Sequence, residues 1–349
     1  MPRNAAGLSL FAAAVLAPFA AGCGGKERTT TPTTTISSGA VAPAAISSSQ
    51  PESSTVGSAA RAATPANASY TDAETAFRHG RYTEARDLFT GYSEHNPDNV
   101  WGFYMLGLSA WKSGDHDRAL QAFDQALRLD PSHRKSLLNS ARVLLETAEP
   151  KEALERVKQA LAIEPLSNDG LRLLGRAHYE LGEIPEAIDA YQRAIAIDDK
   201  DTWAMNNLGF IYIQQGRSEE ALPPLARAVE IRGNVPVFQN NLGTALERAG
   251  HLTAARQAFE AALEADSTYS KASVALERVK AREQGADSAA VDLAALSSEF
   301  QSEVEGWRSS SAASDSTASD SAKEDSMQTD STRTDSVQSS GMARDSVSQ

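Results

Sequence analysis

Apolar positions recur along the middle of the chain with a spacing of 34 residues. Alanine stands at six such positions: Ala85, Ala119, Ala153, Ala187, Ala221 and Ala255. Four residues after each comes a bulky apolar side chain: Phe89, Phe123, Val157, Tyr191, Leu225 and Phe259. Seven residues after each stand Tyr92, Ala126, Ala160, Ala194, Ala228 and Ala262. Positions 0, 4 and 7 share one face of a helix, so the pattern predicts six helices that bury this face.

A second helical pattern precedes each of these alanines. It contains the pairs Leu106-Gly107, Leu174-Gly175, Leu208-Gly209 and Leu242-Gly243, in which the glycine lets a paired helix approach closely. Five residues before each alanine stand Gly80, Gly114, Ala148, Gly182, Gly216 and Gly250. This column predicts a left-handed residue that ends the first helix. Proline is expected to end the second helix of the first three units, at Pro97, Pro131 and Pro165.

These columns resemble the tetratricopeptide-repeat family, whose unit is a helix-turn-helix of 34 residues. The resemblance covers residues 67–269 and implies an all-α fold, a right-handed superhelical solenoid of six units. Two features depart from the pattern. The first unit has Asp72-Ala73 where others have Leu-Gly, and Pro223-Pro224 lies inside a predicted helix, where we expect a kink or a late start.

Residues 270–308 predict a capping helix and one further helix. Leu276 continues the spacing from Leu242, while the remaining surface of this segment is polar. Farther on, apolar residues three or four apart predict an amphipathic helix: Leu293, Leu296, Phe300, Val304 and Trp307. We expect its apolar face to pack on the cap. The alternative is a helix that binds a partner or fills the groove of the solenoid.

The resemblance also implies a concave groove, lined by positions 2, 5, 9, 12 and 13 of each first helix. These positions hold Trp101, Tyr104, Trp111, Lys112, Arg142, Arg176, Tyr179, Trp203, Asn206, Phe210, Ile213, Asn240 and Arg248. Aromatic and arginine side chains are common anchors of protein interfaces, which favours an extended peptide or an amphipathic helix as ligand. The alternative is that Trp101 and Trp203 only pack between units.

Three asparagines share the position just before the Leu-Gly site: Asn139, Asn207 and Asn241. The pattern is similar to the asparagine ladder with which some family members hold a peptide backbone. An amide suits this role because it offers both a donor and an acceptor. The Lys and Asn set of the co-chaperone type, which clamps a terminal carboxylate, is not found.

Residues 1–22 have the pattern of an export signal. Arg3 precedes an apolar run from Leu8 to Ala17, which is about half as long as a membrane span. The following Ala20-Ala21-Gly22-Cys23 resembles a lipobox, in which Cys23, the only cysteine, is the lipid attachment site. The alternative is an ordinary secretory signal that is cleaved near Ala21.

Polar segments flank the repeats. Residues 23–66 are rich in Ser, Thr and Pro, which predicts a disordered tether. Residues 309–349 predict a disordered tail in which six aspartates, most of them five residues apart, each precede a serine. We expect the tail to be a soluble spacer; the alternative is an acidic motif for a basic partner.

Charge and composition narrow the possible functions. The formal net charge is -13 and no basic stripe occurs, which argues against nucleic acid as a partner. The six histidines have no metal-ligand spacing, and no Gly-rich phosphate loop or nucleophile elbow occurs. The sequence therefore predicts neither an enzyme nor a bound cofactor or metal.

The expected function is a lipid-anchored scaffold that binds other proteins during assembly of a cell-envelope complex. The alternative is a structural spacer of the envelope without a specific peptide ligand. Gly24 stands where some lipoproteins carry an Asp that retains them in the inner membrane, so we expect the outer membrane, facing the periplasm. The sequence leaves the partner and the oligomeric state open.

Overall fold

The computed structural model describes residues 69–283 and 290–309, and these residues contain helices and no strand. All of them belong to one compact unit, Ala42–Gln349. The predicted all-α class is therefore confirmed. The predictions of a signal peptide for residues 1–22, a tether for residues 23–66 and a tail fall outside the described residues, except for Ser309.

Thirteen helices follow one another: α1 Tyr70–Arg78, α2 Tyr82–His95, α3 Val100–Lys112, α4 His116–Leu129, α5 Arg134–Glu146, α6 Pro150–Ile163, α7 Asn168–Leu181, α8 Ile184–Ile197, α9 Thr202–Gln214, α10 Ser218–Ile231, α11 Pro236–Ala249, α12 Leu252–Ala265 and α13 Ser270–Glu283. A further helix, α14, covers residues 293–309. Helices α1 to α12 alternate as first and second helices of consecutive pairs, as the two sequence patterns predict.

The turn within each pair follows the glycine column. The backbone is left-handed at all six positions, with φ of 74° at Gly80 and 94° at Gly250. Ala148 fills one of these positions with φ of 61°. A Cβ makes this conformation costly by about 1–2 kcal/mol, so the turn geometry is imposed by the packing of α5 on α6 rather than by residue preference alone.

The second helices end where the sequence predicts. Pro97, Pro131 and Pro165 follow the ends of α2, α4 and α6 by two residues. Helices α8, α10 and α12 end at the equivalent residue without a proline. Of the two alternatives expected for Pro223-Pro224, a late start does not occur, because α10 begins at Ser218 and includes both prolines; a kink stays a prediction.

The predicted helix face forms the core. All six alanines that start the pattern are fully buried, and the bulky residues four positions later are at most 1% exposed. The Leu-Gly column supplies space for them: a Cβ added at Gly107 would lie 2.5 Å from the Phe123 ring. The first and second helices of this pair thus pack so closely that the Phe123 ring contacts Gly107.

Odd-numbered helices form one layer of the solenoid, which we call the inner layer. Direct backbone contacts join α1 to α3, α3 to α5, α5 to α7, α9 to α11 and α11 to α13. Between α7 and α9 the Tyr179 and Phe210 rings meet, with centroids 5.8 Å apart. Among the described helices, even-numbered neighbours show no comparable approach. Closer spacing of the odd-numbered helices places them on the inside of the curve.

Candidate partner-binding surface

All sixteen residues predicted to line the groove lie on α3, α5, α7, α9 and α11, within the inner layer. Their exposure divides them into three sets. The exposed residues are Trp101, Lys112 and Arg248. Those of intermediate exposure are Trp111, Arg142, Arg176, Tyr179, Trp203 and Asn207. The buried residues are Tyr104, Asn139, Asn206, Phe210, Ile213, Asn240 and Asn241.

The buried asparagines bond to one another instead of facing an open groove. Asn241 donates from Nδ2 to Oδ1 of Asn206 at 2.9 Å, across α11 and α9. Asn240 donates to Oδ1 of Asn241 at 3.5 Å. Packing of α9 against α11 leaves Asn206 only 2% exposed. The structure therefore differs from the expectation that these amides are free to hold a peptide backbone.

The other two asparagines of the proposed ladder also have partners within the chain. Asn139 donates to the Tyr104 hydroxyl at 3.2 Å and accepts from Arg142 at 2.6 Å. Asn207 donates to the hydroxyl of Tyr191 at 3.3 Å. Burial raises the pKa of Tyr104, so this phenol remains neutral while its oxygen accepts the hydrogen bond from Asn139. The bonds to Tyr104 and Tyr191 join neighbouring helices, and the bond from Arg142 lies within α5.

An aromatic cluster around Trp101 forms one exposed part of the predicted surface. The Trp101 side chain is 48% exposed, and its ring meets the ring of buried His133 edge to face at 5.0 Å. The Tyr104 ring meets His133 at 5.2 Å, and Lys135 Nζ lies 5.0 Å from the Trp101 centroid. Burial lowers the pKa of His133, so it adds a neutral ring to this cluster.

Further aromatic and apolar members of the predicted set pack between neighbouring inner helices. Trp111 donates from Nε1 to Glu146 at 2.7 Å. The Trp203 ring meets Phe238 at 4.9 Å, and Ile213 is 2% exposed. Trp203 therefore packs between inner helices, as the alternative interpretation of the sequence predicted, although part of its side chain remains accessible.

The predicted arginines are held by acceptors on adjacent helices. Arg142 and Arg172 both bond to Asp169, and Arg172 also pairs with Asp201 at 3.2 Å. Burial alone would raise the pKa of Asp169, but the two guanidinium groups hold it below its ordinary value. Arg176 and Arg248 donate to backbone carbonyl oxygens, those of Leu145 at 3.2 Å and Ile213 at 2.6 Å. Ion pairs and these bonds hold the guanidinium groups in place along the layer.

The inner layer continues onto the predicted cap α13, although none of its residues was predicted to line the groove. Arg278 and Arg282 on α13 both pair with Glu247 on α11, at 2.6 and 2.9 Å. Counting 34 residues beyond Trp203 twice leads to Lys271, and the same count leads from Asn206 to Val274. This extension of the repeat count would have found these residues.

Helix α14 packs on α9 and α10, and its expected packing on the cap α13 stays a prediction. Phe300 and Val304, at most 2% exposed, join the core cluster that contains Leu208 and Tyr212. Ser297 donates to Glu230 of α10, and Arg308 donates from Nε to the carbonyl oxygen of Ala196 at 2.7 Å.

This position places α14 on the side of α9 away from the inner surface. With 100° per residue, Leu208 and Tyr212 lie on roughly the opposite side of α9, about 120° to 180° from Trp203, Asn206 and Phe210. The prolines of α10 line the same contact: Pro223 and Pro224 border a cleft of about 370 Å³ with Phe300. No local pattern in the sequence pointed to this contact.

Residues 69–283 and 290–309 hold no group of His, Cys, Asp and Glu side chains with the arrangement of a metal site. None of the helices in these ranges combines the length and the hydropathy that a bilayer span requires.

Comparison with known proteins identifies the repeat. The family model of the cytochrome c-type biogenesis protein H TPR domain matches residues 92–201. Two tetratricopeptide repeat models match residues 174–234 and 238–269. Among the curated proteins, none matches this chain significantly. Residues 70–91 precede the matched region, so a sixth unit at the start of the array stays a prediction.

Solved structures show the same kind of fold. The chain is similar to the APC/C hetero-tetramer Cut9–Hcn1, with 19% identity and a TM-score of 0.53, over 60% of this chain and 41% of that one. It is also similar to a tetratricopeptide repeat protein from Parabacteroides merdae ATCC 43184, with 13% identity and a TM-score of 0.50, over 60% and 81%. A thermophilic TPR protein of Thermus thermophilus matches at 22% identity and a TM-score of 0.46, over 52% and 100%.

The 34-residue columns, the paired helices and the matched models describe the same repeat. The all-α solenoid that the resemblance implied is therefore confirmed. The chain belongs to the tetratricopeptide-repeat family.

Proposed function

We propose that this chain is a protein-interaction scaffold whose inner layer binds an extended peptide or an amphipathic helix of a partner protein. The observation that carries the proposal is Trp101, which is 48% exposed on the inner layer. Tryptophan is among the side chains that contribute most to protein interfaces.

The surroundings of Trp101 favour a peptide as the ligand. Its ring is held at a fixed angle by His133 and Tyr104, so little side-chain freedom is lost on binding. Lys135 Nζ lies over one face of the Trp101 ring, and Lys112 is exposed at the end of α3, the helix that carries Trp101. A partner segment with an apolar anchor and an acidic residue matches this combination.

A selected peptide tests the proposal. The full chain is used to select a binder from a peptide display library, and the dissociation constant is then compared between the wild type and Trp101→Ala. We expect about 30-fold weaker binding by Trp101→Ala, because such an anchor contributes about 2 kcal/mol.

Lys151→Ala is the matched control. Lys151 is exposed in the first turn of α6, an even-numbered helix outside the inner layer. Its replacement is expected to leave both binding and helix content unchanged. If Trp101→Ala bound the selected peptide as tightly as Lys151→Ala, binding at the inner layer would be refuted.

The structural alternative, an envelope spacer without a peptide ligand, is favoured by one observation. The amides of Asn206, Asn240 and Asn241 are used within the array, where they fasten α9 to α11. If the polar side chains of the inner layer bond only to one another, the array would suit a rigid spacer. Failure to select any peptide that depends on Trp101 would favour this alternative.

We also propose that a lipid on Cys23 anchors the scaffold in an envelope membrane. The proposed location is the outer membrane, with the repeats facing the periplasm. The support is the sequence Ala20-Ala21-Gly22-Cys23 behind an apolar segment of signal-peptide length. Two or more acyl chains suffice for stable anchoring. Cys23→Ser is expected to move the protein from the membrane fraction to the soluble fraction, with loss of the acyl mass from the N-terminal peptide.

A further inference from the structure

The last inner helix carries a short basic stripe, which corrects the expectation from the sequence that the chain has none. Lys271, Val274, Arg278 and Arg282 are spaced by 3, 4 and 4 residues on α13, so they lie on one face of this helix. The face is the inner one, because Arg278 and Arg282 both reach Glu247 of the preceding inner helix. Arg248, exposed at the end of α11, extends the stripe.

The charges of the stripe are not balanced within the array. Of the four basic side chains of the stripe, Arg278 and Arg282 share one carboxylate, that of Glu247, which is 5% exposed. The side chains of both arginines remain about half exposed after this pairing. The stripe therefore carries a local excess of three positive charges on a chain whose formal net charge is -13.

An apolar side chain lies in the middle of this stripe. Val274 is 67% exposed, more than any other large apolar residue of the described chain except Leu166. Lys271 and Arg278 flank it along the same helix face. A segment that covers Val274 and supplies carboxylates would satisfy both properties of the surface.

The chain itself contains a segment with this chemistry. Residues 310–349 hold seven acidic and three basic side chains, and aspartates recur there every five residues from Asp315 to Asp335. The segment follows α14 directly, and Arg308 fixes the end of α14 beside Ala196. Forty residues reach up to about 130 Å when extended, and about 35 Å as a flexible chain.

We propose that the acidic segment 310–349 docks on the basic stripe of α13 and α11 and covers Val274. Its aspartates pair with Lys271, Arg248, Arg278 and Arg282, the last two of which are already partly neutralised by Glu247. Attachment to the same chain gives the segment an effective concentration in the millimolar range, so individually weak, salt-screened pairs suffice. The contact does not depend on the partner-binding function proposed above, because it involves no second protein.

Cross-linking in the full chain tests this contact. A water-soluble carbodiimide joins a carboxylate directly to a lysine amine, and mass spectrometry then locates the joined peptides. At low ionic strength we expect links from the tail aspartates to Lys271 at least fivefold more often than to Lys151. Both lysines are exposed in the first turn of a helix, but Lys151 lies on α6, outside the inner layer.

Two changes are expected to abolish the preference for Lys271. One is 1 M salt, which reduces the Debye length to about 3 Å. The other replaces Asp315, Asp320, Asp325, Asp330 and Asp335 by Asn in the full chain. Equal yields at Lys271 and Lys151, or yields at Lys271 that ignore salt, would refute the proposal. Links found only in the dimer band would refute it too, because they would come from the tail of a second copy.

Discussion

Asn241 donates a hydrogen bond to the side-chain oxygen of Asn206 at 2.9 Å, and the two residues lie in different repeats. Both are buried, at 6% and 2% exposure. Two asparagines that were predicted to contact a peptide therefore bond to each other. The amide pair holds α11 against α9, and its loss would leave a buried polar atom without a partner.

Asn241→Ala is expected to destabilise the array by about 1–3 kcal/mol, because it leaves the buried oxygen of Asn206 without its donor. Urea unfolding measures the effect. Asn234→Ala, at an exposed loop position before α11, is the control and is expected to change the midpoint little. In the double variant Asn206→Ala/Asn241→Ala the cost should fall short of the sum of the single costs; strict additivity would contradict a direct bond.

Glu247 predicts a pH dependence of the attachment of α13. Burial raises the pKa of this carboxyl, but Arg278 and Arg282 outweigh burial and hold the pKa below its ordinary value. A lowered pKa in the folded state means that the ion pairs stabilise the fold above the ordinary glutamate pKa, about 4.3, and that this contribution is lost as the pH falls below it.

Glu247→Gln tests this dependence. At pH 7 it is expected to cost about 1–2 kcal/mol, a modest value because both arginines are half exposed and screened by water. Hydrogen exchange of the α13 amides, followed from pH 7 towards pH 3, should show the wild type approaching the variant. A constant difference over this range would show that the carboxylate is not responsible.

Gly107 and Gly306 form a matched pair of helical glycines. A Cβ at Gly107 would lie 2.5 Å from the Phe123 ring, whereas a Cβ at Gly306 would meet no atom within 4 Å. Gly107→Ala is expected to cost about 1–3 kcal/mol through overpacking, and Gly306→Ala to stabilise α14 by up to about 1 kcal/mol. Thermal unfolding of both variants measures the difference, and equal effects would contradict the packing described here.

Phe300 fastens α14 to α9 and α10. It is 1% exposed and meets the Trp307 ring at 5.6 Å. Phe300→Ala is expected to cost up to about 3–5 kcal/mol, enough to release α14 while the repeats stay folded. Hydrogen exchange should rise in residues 293–309 and stay low in α3 to α8. Ser302→Ala, at an exposed position on the same helix, is expected to leave exchange unchanged.

Several features of the array followed from the sequence alone because they depend on short chain segments. The columns at 0, 4 and 7 residues predicted the buried faces of the second helices, including fully buried Phe123 and Ala153. The glycine column predicted the left-handed turns, even at Ala148. These features depend on helix periodicity and on turn geometry, which act over a few residues.

Exposure on the inner layer was less predictable. Trp101 and Asn206 share a predicted surface, yet one is 48% exposed and the other 2%. The difference depends on how closely the next inner helix, 34 residues away, approaches each of them. Helical periodicity shows which side of a helix a residue occupies and carries no information on that distance.

The chain by itself thus determined a helical repeat, its boundaries and its core, because local apolar spacing and turn residues specify each pair. Only the tertiary structure decided that the asparagines bond to one another, that Glu247 is shared by two arginines, and that α14 returns to α9 and α10. These contacts join residues between 31 and 112 positions apart. They arise from the packing of whole helices, whose relative positions no local pattern encodes.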